Sequence, residues 1–448
     1  ADGAAIGLLT TTRTVMQSYN SVINKEFSKQ LMLPVNTGKL IAVGDAMRVA
    51  KCEMITTSDA SLSDKSNNKL NYVLIGDPAL IVGTADYRVV VDQLNGMPIS
   101  DASEVMLKAG SQVVVKGHVD GLSGVRADDF SGMIYASVFD NVEEITCRNN
   151  AKSSGLSPFV YRERTKKFFT GSDSVRNGEF SFTFRIPMDI NYSNDSGLIN
   201  LYAVDSTYTQ EATGSYDGFL LGGTEDNLTN DGTGPAIQVF LNSLEFVSGD
   251  KVNETPRLMA IIEDPDGINT AGNLGHNLSA IIDGKASMTY NLNEYYISDI
   301  GGYTRGTVAY VFPELPEGKH TLMLRAWDMM NNSSTVTVEF EVVRGLSPSI
   351  IQMVTMPSPA RDYATFTLMH DRPENEVTVT LEVFDFSGRI VWNHTEQVVS
   401  SDNTYSYTWN LRGSSGQPLE SGVYLYRFVV SSPTGQSSSK AQKILIRR

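Results

Sequence analysis

The chain has 448 residues, of which 41% are hydrophobic and 19% are charged, and its formal net charge is −15. This composition is typical of a folded globular protein of about three domains, and the excess of acidic residues argues against a nucleic-acid-binding protein, whose affinity would rest on neutralising phosphates. No apolar run approaches the ~20 residues that a membrane-spanning helix needs.

The first 84 residues predict alternating strands and helices. Residues 6–12 form a short apolar, β-branched run that is typical of a buried parallel strand. Apolar residues at every fourth position then predict a helix with one core-facing stripe, which ends before Pro34. That stripe consists of Tyr19, Ile23, Phe27 and Leu31. A second helix is predicted from an apolar face formed by Leu40, Val43, Met47 and Ala50.

Residues 72–75 predict another buried strand, which ends at the turn formed by residues 76–78. The order strand, helix, helix, strand indicates part of an α/β layer protein. Two core strands would leave the sheet with an open apolar edge, and strand pairs of this size are marginal in water. We therefore expect residues 1–84 to complete a sheet whose other strands lie outside this sequence.

From about residue 86 onward, alternating strands replace the helical pattern. The clearest strand follows the turn Asn177-Gly178 and places Phe180, Phe182, Phe184 and Ile186 on one face. Residues 214–234 are rich in Gly, Asp and Asn, which is typical of a linker. Short strands with regular turns predict β-sandwich domains. The expected fold is mainly β with a short α/β N-terminal part (1–84), followed by Ig-like β-sandwich domains at 85–213, 235–345 and 346–448.

The last predicted domain differs from the others in charge. Residues 346–448 contain nine acidic and nine basic residues, so the net charge of −15 lies entirely in the first 345 residues. A neutral terminal domain beside acidic ones indicates either a docking surface or chance composition.

The start of the chain and its cysteines narrow the function further. The chain begins with residues 1–3 (ADG), without an initiator Met or a signal segment, so we expect a processed product or the downstream part of a longer protein. Only Cys52 and Cys147 are present, which excludes a disulfide framework and CxxC zinc sites. The five histidines stand singly, without an HExxH motif. No cofactor is therefore predicted.

Three N-terminal segments resemble the end of the catalytic domain of gingipain-like (C25) cysteine peptidases. They are residues 3–13 (GAAIGLLTTTR), 44–51 (GDAMRVAK) and 71–80 (NYVLIGDPAL). The resemblance implies a caspase-like α/β fold. In this family the catalytic His and the nucleophilic Cys both precede the strand that corresponds to residues 3–12. The resemblance therefore implies that no catalytic residue lies in this sequence.

The C-terminal domain resembles the β-sandwich domains associated with type IX secretion. The similar segments are residues 356–362 (MPSPARD), 383–389 (VFDFSGR), 422–427 (GVYLYR) and 443–446 (KILI). Met356 departs from the family, which often has Asn at this position. Together with residues 263–269 (EDPDGIN), 291–296 (NLNEYY) and 325–328 (RAWD), these segments extend the resemblance along essentially the whole chain, to the C-terminal portion of the sortases of the type IX secretion system.

This resemblance implies a function for the intact protein. It would be a cell-surface cysteine endopeptidase, peripherally associated with the outer membrane, that removes C-terminal sorting domains from secreted cargo proteins and attaches the cargo to anionic lipopolysaccharide. The implied chemistry is covalent: a thiolate forms a thioester that water or a lipid-borne amine resolves. The C-terminal domain is implied to dock on an outer-membrane β-barrel partner of the PorV type.

The resemblance also implies a substrate pocket. Thr12, Arg13 and Met16 follow the first strand, in the stretch that lines the pocket for the residue before the scissile bond in gingipain-like peptidases. We expect Thr12 and Met16 to form the walls of a small, uncharged pocket. The alternative is that all three are ordinary loop residues.

Other candidate residues have simpler interpretations. Cys52 is followed by Glu53, whose charge would raise rather than lower a thiol pKa, and Cys147 has no histidine near it in sequence, although a contact with His118 stays open. The Asp-rich segments 128–129 and 264–267 lack the spacing of a calcium loop, so no metal site is predicted. Trp327, Trp392 and Trp409 lie in predicted strands, where core packing is favoured over a glycan-binding platform.

Two rival functions stay open. The chain could be a non-catalytic surface scaffold, which would have a finished sheet at its N-terminus. It could also be a carbohydrate-binding adhesin fragment, which would group its aromatic rings in an exposed patch.

Overall fold

The computed structural model describes residues 7–32, 41–82, 85–99, 105–148, 157–272, 275–400, 403–432, 435–438 (backbone only) and 441–447. The chain divides into two compact units, Ala1–Asp86 and Tyr87–Arg448. Strands predominate, and both described α-helices lie in the first unit, which confirms the predicted mainly β fold with a short α/β N-terminal part. Within the described residues, no helix combines the length and the apolar character that a membrane span requires.

The N-terminal unit contains two helices and two strands. Their bounds are β1 (Gly7–Thr11), α1 (Gln17–Met32), α2 (Val43–Thr56) and β2 (Tyr72–Gly76), with a short 3-10 helix, Asn67–Asn71, before β2. Both predicted helices are confirmed. Leu40, predicted on the inner face of α2, lies outside the described residues, as does Pro34.

The core of this unit is small. It consists of Ile23 from α1, Met47 and Met54 from α2, and Tyr72 from β2. In the predicted stripe of α1, Ile23 is buried, while Tyr19, Phe27 and Leu31 are only half-buried. The polar residues Glu26 and Gln30 are buried on the same helix, so the buried positions of α1 include residues outside the predicted apolar stripe.

The strand pair of the N-terminal unit differs from the prediction of buried parallel strands. β1 and β2 pair antiparallel, with Leu8 opposite Ile75 and Leu9 opposite Leu74. Leu9 and Leu74 pack on the core, whereas Leu8 and Ile75, on the other face, are 52% and 58% exposed. Directly opposed residues share a face of a sheet, so this two-stranded sheet has one covered face and one bare apolar face.

In the second unit, residues 87–224 form what we call the first sandwich. An eight-stranded sheet has the order β10-β7-β13-β14-β3-β6-β11, with β4 beside β3, and a three-stranded sheet has the order β12-β15-β5. Their strands are β3 (Tyr87–Leu94), β4 (Met97–Pro98), β5 (Val105–Ala109), β6 (Gln112–Gly121), β7 (Gly132–Phe139), β10 (Lys167–Val175), β11 (Glu179–Arg185), β12 (Asp195–Ser196), β13 (Leu198–Asp205), β14 (Glu211–Tyr216) and β15 (Phe219–Thr224). A separate hairpin is formed by β8 (Glu143–Thr146) and β9 (Val160–Glu163).

The predicted alternation of β11 is confirmed, and the predicted linker is wrong in its first part. Phe180, Phe182 and Phe184 are at most 5% exposed and stack on one another. Residues 211–224, however, form β14 and β15 instead of linker. Gly214 lies within β14, at a position where a side chain does not fit, because a Cβ there would be 2.1 Å from the carbonyl oxygen of Val89. Close approach of two backbones, not flexibility, explains this glycine.

Residues 236–342 form the second sandwich. Its two sheets have the orders β16-β18-β22-β21 and β17-β24-β23-β19-β20. Their strands are β16 (Ala236–Leu241), β17 (Lys251–Val252), β18 (Arg257–Glu263), β19 (Ser279–Ile282), β20 (Thr289–Asn291), β21 (Tyr296–Ser298), β22 (Arg305–Val311), β23 (Gly318–Trp327) and β24 (Ser333–Val342). Short 3-10 helices span Ala286–Met288 and Asn293–Tyr295. Within β16, Val239 and Leu241 are buried and face the core of this sandwich.

Residues 350–446 form the third sandwich. Its sheets have the orders β25-β26-β29 and β28-β27-β30-β31, and β32 also pairs with β30. The strands are β25 (Ile350–Met356), β26 (Ala364–His370), β27 (Glu376–Phe384), β28 (Ile390–Val399), β29 (Thr404–Trp409), β30 (Gly422–Ser432), β31 (Gly435–Ser438) and β32 (Gln442–Ile446). One face of β27 lies in the core, because its residues Val377, Val379, Leu381 and Val383 are buried.

Polar contacts join the three sandwiches. Between the first and second, His276 Nδ1 lies 2.6 Å from Asp189 Oδ2, and Lys167 Nζ lies 2.9 Å from Glu294 Oε2. Between the second and third, the hydroxyl of Thr255 donates to Asn375 Oδ1 at 2.9 Å. Such contacts fix the junctions because buried donors and acceptors are rarely left without partners.

Candidate functional site

The three predicted pocket residues lie on the loop between β1 and α1. Thr12, Arg13 and Met16 are all exposed, and Met16 is 63% exposed. The backbone N–H of Thr12 donates to the carbonyl oxygen of Asn71 at 2.9 Å, and that of Met16 donates to Asn68 Oδ1 at 3.1 Å. The loop is therefore anchored on the 3-10 helix that precedes β2. Its side chains face solvent within this unit.

A buried polar residue, Asp64, precedes the 3-10 helix on which this loop is anchored. Asp64 is 0% exposed, and its Oδ1 accepts a hydrogen bond from the Ser66 backbone N–H at 2.9 Å. Among the described residues, Asp64 Oδ2, Asn68 Nδ2 and Tyr72 Oη are buried without a hydrogen-bond partner. Burial raises the pKa of the Tyr72 phenol, which stays protonated. The segment that anchors the loop thus contains polar atoms with unused hydrogen-bonding capacity, which is rare in protein interiors.

Neither cysteine belongs to a nucleophile–base pair within the described residues. Cys52 is exposed on α2, and Cys147 is half-buried beside the hairpin β8–β9. Neither thiol is hydrogen-bonded to a histidine in that part of the chain. His118, the one candidate base for Cys147, instead lies between two carboxylates, with Nδ1 at 2.7 Å from Asp92 and Nε2 at 2.9 Å from Asp120. An activated thiolate needs a base within hydrogen-bond reach, so these residues do not form a catalytic dyad.

Sequence analysis missed a group of carboxylates at the junction of the first and second sandwiches. Asp231, Asp266 and Asp328 each bring one carboxylate oxygen within 4.8 Å of the others, a spacing that could hold a cation. Burial, followed by the charges of its acidic neighbours, raises the pKa of Asp264 to about 6. The cluster also contains an internal cation, because Arg185 forms an ion pair with Asp266.

The signal for this cluster in the sequence is weak. Of its three members only Asp266 lies in an Asp-rich segment, residues 264–267, and Asp231 and Asp328 come from distant segments that the fold brings together. The other Asp-rich segment has a simpler role, because Asp128 pairs with Arg126 at 2.5 Å.

The tryptophans serve mainly as packing residues. Trp409 is 1% exposed in the core of the third sandwich, and Trp392 packs against it with ring centroids 5.2 Å apart. Trp327 is half-buried and lies 4.2 Å from the His276 ring. Because none of the three rings is fully exposed, they do not form the open aromatic platform of a glycan-binding surface.

The comparisons with known proteins agree with the N-terminal resemblance. Residues 1–82 match the model of peptidase family C25. The dimeric latent PorU of Porphyromonas gingivalis is 33% identical over 93% of this chain and 38% of that chain, with a TM-score of 0.41. The chain therefore spans well under half the length of PorU. No curated protein sequence matches it.

Other solved structures match the chain at much lower sequence identity. The tetra-tandem repeat of a large adhesion protein is 13% identical and covers 81% of this chain and 74% of that chain, with a TM-score of 0.19. The FN1-FN3 domains of chicken CNTN1 are 8% identical and cover 82% of this chain and 100% of that chain, also with a TM-score of 0.19. At these values neither likeness bears on function.

Proposed function

This chain belongs to peptidase family C25, of the PorU type, and on that premise we propose that it forms the C-terminal portion of a cysteine endopeptidase that acts as a sortase. In this proposal, the intact enzyme removes C-terminal sorting domains from the cargo of a type IX secretion system. A thiolate attacks the scissile carbonyl and releases the sorting domain, and the resulting thioester is resolved by water or by an amine on anionic lipopolysaccharide.

The observation that carries this proposal is the match of residues 1–82 to a cysteine peptidase family, together with 33% identity to PorU along 93% of the chain. Sequence identity that extends beyond the peptidase segment supports a common arrangement of peptidase and β-domains, which a chance match of 82 residues would not produce. It favours the sortase over a carbohydrate-binding adhesin.

We propose that the catalytic Cys and His are supplied by polypeptide outside these 448 residues, and that this chain alone is inactive. Two features support this. Neither Cys52 nor Cys147 has a histidine partner in the described part of the chain, and the β1–β2 pair exposes Leu8 and Ile75 on one face. An apolar sheet face of this kind is suited to packing against further peptidase structure.

Thr12, Arg13 and Met16 are proposed to line the pocket for the residue before the scissile bond. Their loop is anchored through two backbone hydrogen bonds, and its side chains are exposed, so they are available to a substrate. Thr12 and Met16 would form uncharged walls, and a bulkier side chain at position 16 would fill the space between them.

The location and partners of the chain are also proposals. We place the protein at the cell surface, peripherally associated with the outer membrane, where the third sandwich docks on a β-barrel partner of the PorV type. The balanced charge of residues 346–448 beside an acidic remainder supports a specialised role for this domain. Labelling of intact cells with a membrane-impermeant amine reagent should modify the chain, and absence of labelling would contradict surface exposure.

The catalytic proposal is tested with the peptidase assembled from this chain and the polypeptide that carries Cys and His. Cleavage of a cargo protein at its sorting domain is measured, and a thiol-alkylating reagent should abolish it. The double variant Cys52→Ser/Cys147→Ser should cleave at the wild-type rate, because neither thiol has a base. Loss of cleavage in this variant would place the nucleophile in this chain, and cleavage by the 448-residue chain alone would contradict its proposed inactivity.

The pocket is tested by Met16→Phe in the same assembly. We expect the variant to lower kcat/KM for cargo by about tenfold, because a methylene-sized misfit in a pocket is worth about 1–3 kcal/mol. Met32→Phe is the matched control, because Met32 has the same 63% exposure and lies in the same unit. Equal rates for the two variants would remove Met16 from the pocket without affecting the catalytic proposal.

A further inference from the structure

A cavity of about 710 Å³ opens at one end of the third sandwich. It is lined by Arg361, Asp362, Asn410, Arg412 and Arg447. Three guanidinium groups and a single carboxylate therefore line the same space. Residues 346–448 have equal numbers of acidic and basic residues, so the fold gathers a local excess of positive charge that the composition of the domain does not show.

Backbone pairing places two of these arginines next to each other. Ala360 and Ile446 form a parallel bridge, and the Arg447 backbone N–H donates to the carbonyl oxygen of Ala360 at 2.8 Å. Ala360 and Ile446 are 0% and 1% exposed, so they face the core. Because successive residues in extended chain face opposite sides, Arg361 and Arg447 both face outward, on neighbouring backbones.

Like charges at adjacent positions on neighbouring backbones repel each other. Within the residues that the structure describes, neither Arg361 nor Arg447 forms an ion pair. The contrast is Arg389, which is also in the third sandwich and pairs with Asp385 at 3.0 Å. The single carboxylate in the cavity, Asp362, offsets only one of three guanidinium charges, and a bound anion stabilises a site with such an excess of cations.

The third arginine is positioned by an unusual backbone. Leu411 is 0% exposed and has a φ of 56°, a left-handed conformation that is rare for a side chain of this size. With Leu411 fixed in the core, Asn410 and Arg412 on either side face the cavity. Arg412 Nη1 donates to the carbonyl oxygen of Gly416 at 2.9 Å, so its guanidinium is held in place before any ligand arrives. Unfavourable backbone geometry of this kind concentrates at functional sites.

We propose that this cavity binds a phosphate group carried by a hydroxyl-bearing molecule, such as a phosphorylated sugar, either free or as part of a lipid. The planar guanidinium fork matches phosphate oxygens in pairs, and Arg361 with Arg447 offers two such forks side by side. The Asp362 carboxylate offers an acceptor for a neighbouring hydroxyl. The volume lies in the range of ligand pockets and exceeds what a phosphate ion alone needs. This site is independent of the peptidase assignment.

The test measures binding by the full 448-residue chain. Inorganic phosphate and glucose 6-phosphate are titrated by calorimetry, and vesicles of phosphatidylcholine with and without phosphatidic acid are tested by flotation. We expect saturable binding, with glucose 6-phosphate bound more tightly than inorganic phosphate. Arg361→Gln should weaken it about tenfold and Arg361→Gln/Arg447→Gln about a hundredfold, as expected for charge-assisted hydrogen bonds. Flotation with phosphatidic acid would identify a lipid source, and binding of the soluble ligands alone a free one.

Arg389→Gln is the matched control, because it also removes one exposed positive charge from the third sandwich but lies outside the cavity. Its affinity should stay within about twofold of wild type, and the thermal midpoint of no variant should fall below that of wild type, because these side chains are exposed. An equal loss of binding in Arg389→Gln would show diffuse attraction and overturn the proposal. Failure of every phosphate ligand to saturate would also overturn it. Displacement of glucose 6-phosphate by a polyglutamate peptide at equal affinity would do the same, because it would indicate that the cavity binds a carboxylate-bearing protein surface.

Discussion

The N-terminal unit and the third sandwich use similar apolar strands with opposite results. In the third sandwich, alternating strands from two sheets enclose a core of sixteen buried residues, including Phe366, Trp409 and Phe428. In the described part of the N-terminal unit, four buried residues form the core. Its strand pair has one covered face and one face on which Leu8 and Ile75 are bare.

This difference shows that an apolar strand is buried only where a second layer of the structure covers its face. A strand in the third sandwich has a second sheet about 10 Å away to cover its inner face. β1 and β2 are equally apolar but have helices against one face only. The third sandwich is therefore expected to be stable by its own contacts, while the N-terminal unit presents a surface suited to a further layer.

The largest effect should come from a cavity created in the core of the third sandwich. Phe366 is 0% exposed, and its ring lies 4.8 Å from that of Tyr426 and 6.0 Å from that of Trp409. Phe366→Ala should lower the free energy of unfolding of the third sandwich by about 3–5 kcal/mol, because it removes buried contacts and leaves a cavity. Calorimetry or hydrogen exchange at β26 and β29 measures the change.

The control for this variant is Phe386→Ala in the same sandwich. Phe386 is 93% exposed, so its removal should change stability by no more than about 0.5 kcal/mol. If Phe366→Ala were as mild as its control, the sandwich would not depend on its enclosed core, and the contrast with the N-terminal unit would fail.

A smaller effect is expected from a buried charge in the second sandwich. Asp264 is 4% exposed, and burial and acidic neighbours raise its pKa from the ordinary 3.8 to about 6. The folded chain thus binds this proton more tightly than the unfolded chain, so protonation stabilises the fold fully below pH 3.8 and the stabilisation is lost as pH rises through 6. At pH 8 the ionised carboxylate is destabilising.

Asp264→Asn should therefore raise the free energy of unfolding at pH 8 by about 1–3 kcal/mol and have almost no effect near pH 4. The amide oxygen can still accept the hydrogen bond that Asp264 Oδ1 receives from the Asp266 N–H at 2.7 Å. Thermal unfolding in EDTA at both pH values measures this, with the exposed Asp129→Asn as the control for net charge. If Asp264→Asn were less stable than wild type at pH 8, the ionised carboxylate would stabilise the second sandwich instead of destabilising it.

Sequence alone predicted what depends on neighbours along the chain. Alternation placed Phe180 and Phe182 in a core, and the four-residue spacing located α1. The exposure of Leu8 was not predictable, because an apolar run does not show whether a second layer covers it. Gly214 was assigned to a linker because composition cannot distinguish a flexible glycine from one that lies against another backbone.

The candidate sites differ in the same way: a site within one segment could be predicted from the sequence, and sites built from distant segments could not. The loop with Thr12, Arg13 and Met16 was located from its place after a strand, and its pocket role stays a prediction. The cluster of Asp231, Asp266 and Asp328 and the arginine cavity were missed, because their members come from distant segments that only the fold brings together.

Two tyrosines allow the polar interiors of the two regions to be compared. In the third sandwich, Tyr405 is 6% exposed and its hydroxyl donates to Glu396 Oε2 at 3.0 Å. In the N-terminal unit, Tyr72 is 2% exposed, and its hydroxyl, which has the Asn68 side chain as a neighbour, forms no hydrogen bond of normal geometry among the described residues. Tyr405→Phe should destabilise its sandwich by about 1–2 kcal/mol, whereas Tyr72→Phe should be neutral or slightly stabilising. Local hydrogen exchange compares them, and an equal cost would show that the Tyr72 hydroxyl is satisfied.

The smallest effect is expected on the exposed face of the β1–β2 sheet in the N-terminal unit. Leu8→Ser/Ile75→Ser changes two opposed, exposed side chains and should alter the local stability of β1 and β2 by no more than about 0.5 kcal/mol. The matched control, Leu9→Ser/Leu74→Ser, changes the next opposed pair on the same strands, which packs on the core. That pair should cost at least about 2 kcal/mol, because two partly buried Leu side chains lose apolar contact.

Limited proteolysis of β1 and β2 distinguishes the two double variants in the chain alone. Assembly with the polypeptide that carries Cys and His then tests whether the exposed face binds further peptidase structure. In the chain alone, Leu8→Ser/Ile75→Ser should reduce binding of a hydrophobic dye without hastening cleavage. In the assembled peptidase, the same variant should weaken association, because the bare face would then be the inside of a larger sheet. If it unfolded the isolated unit as readily as its control did, both faces would already be covered, and the N-terminal unit would be as self-contained as the third sandwich.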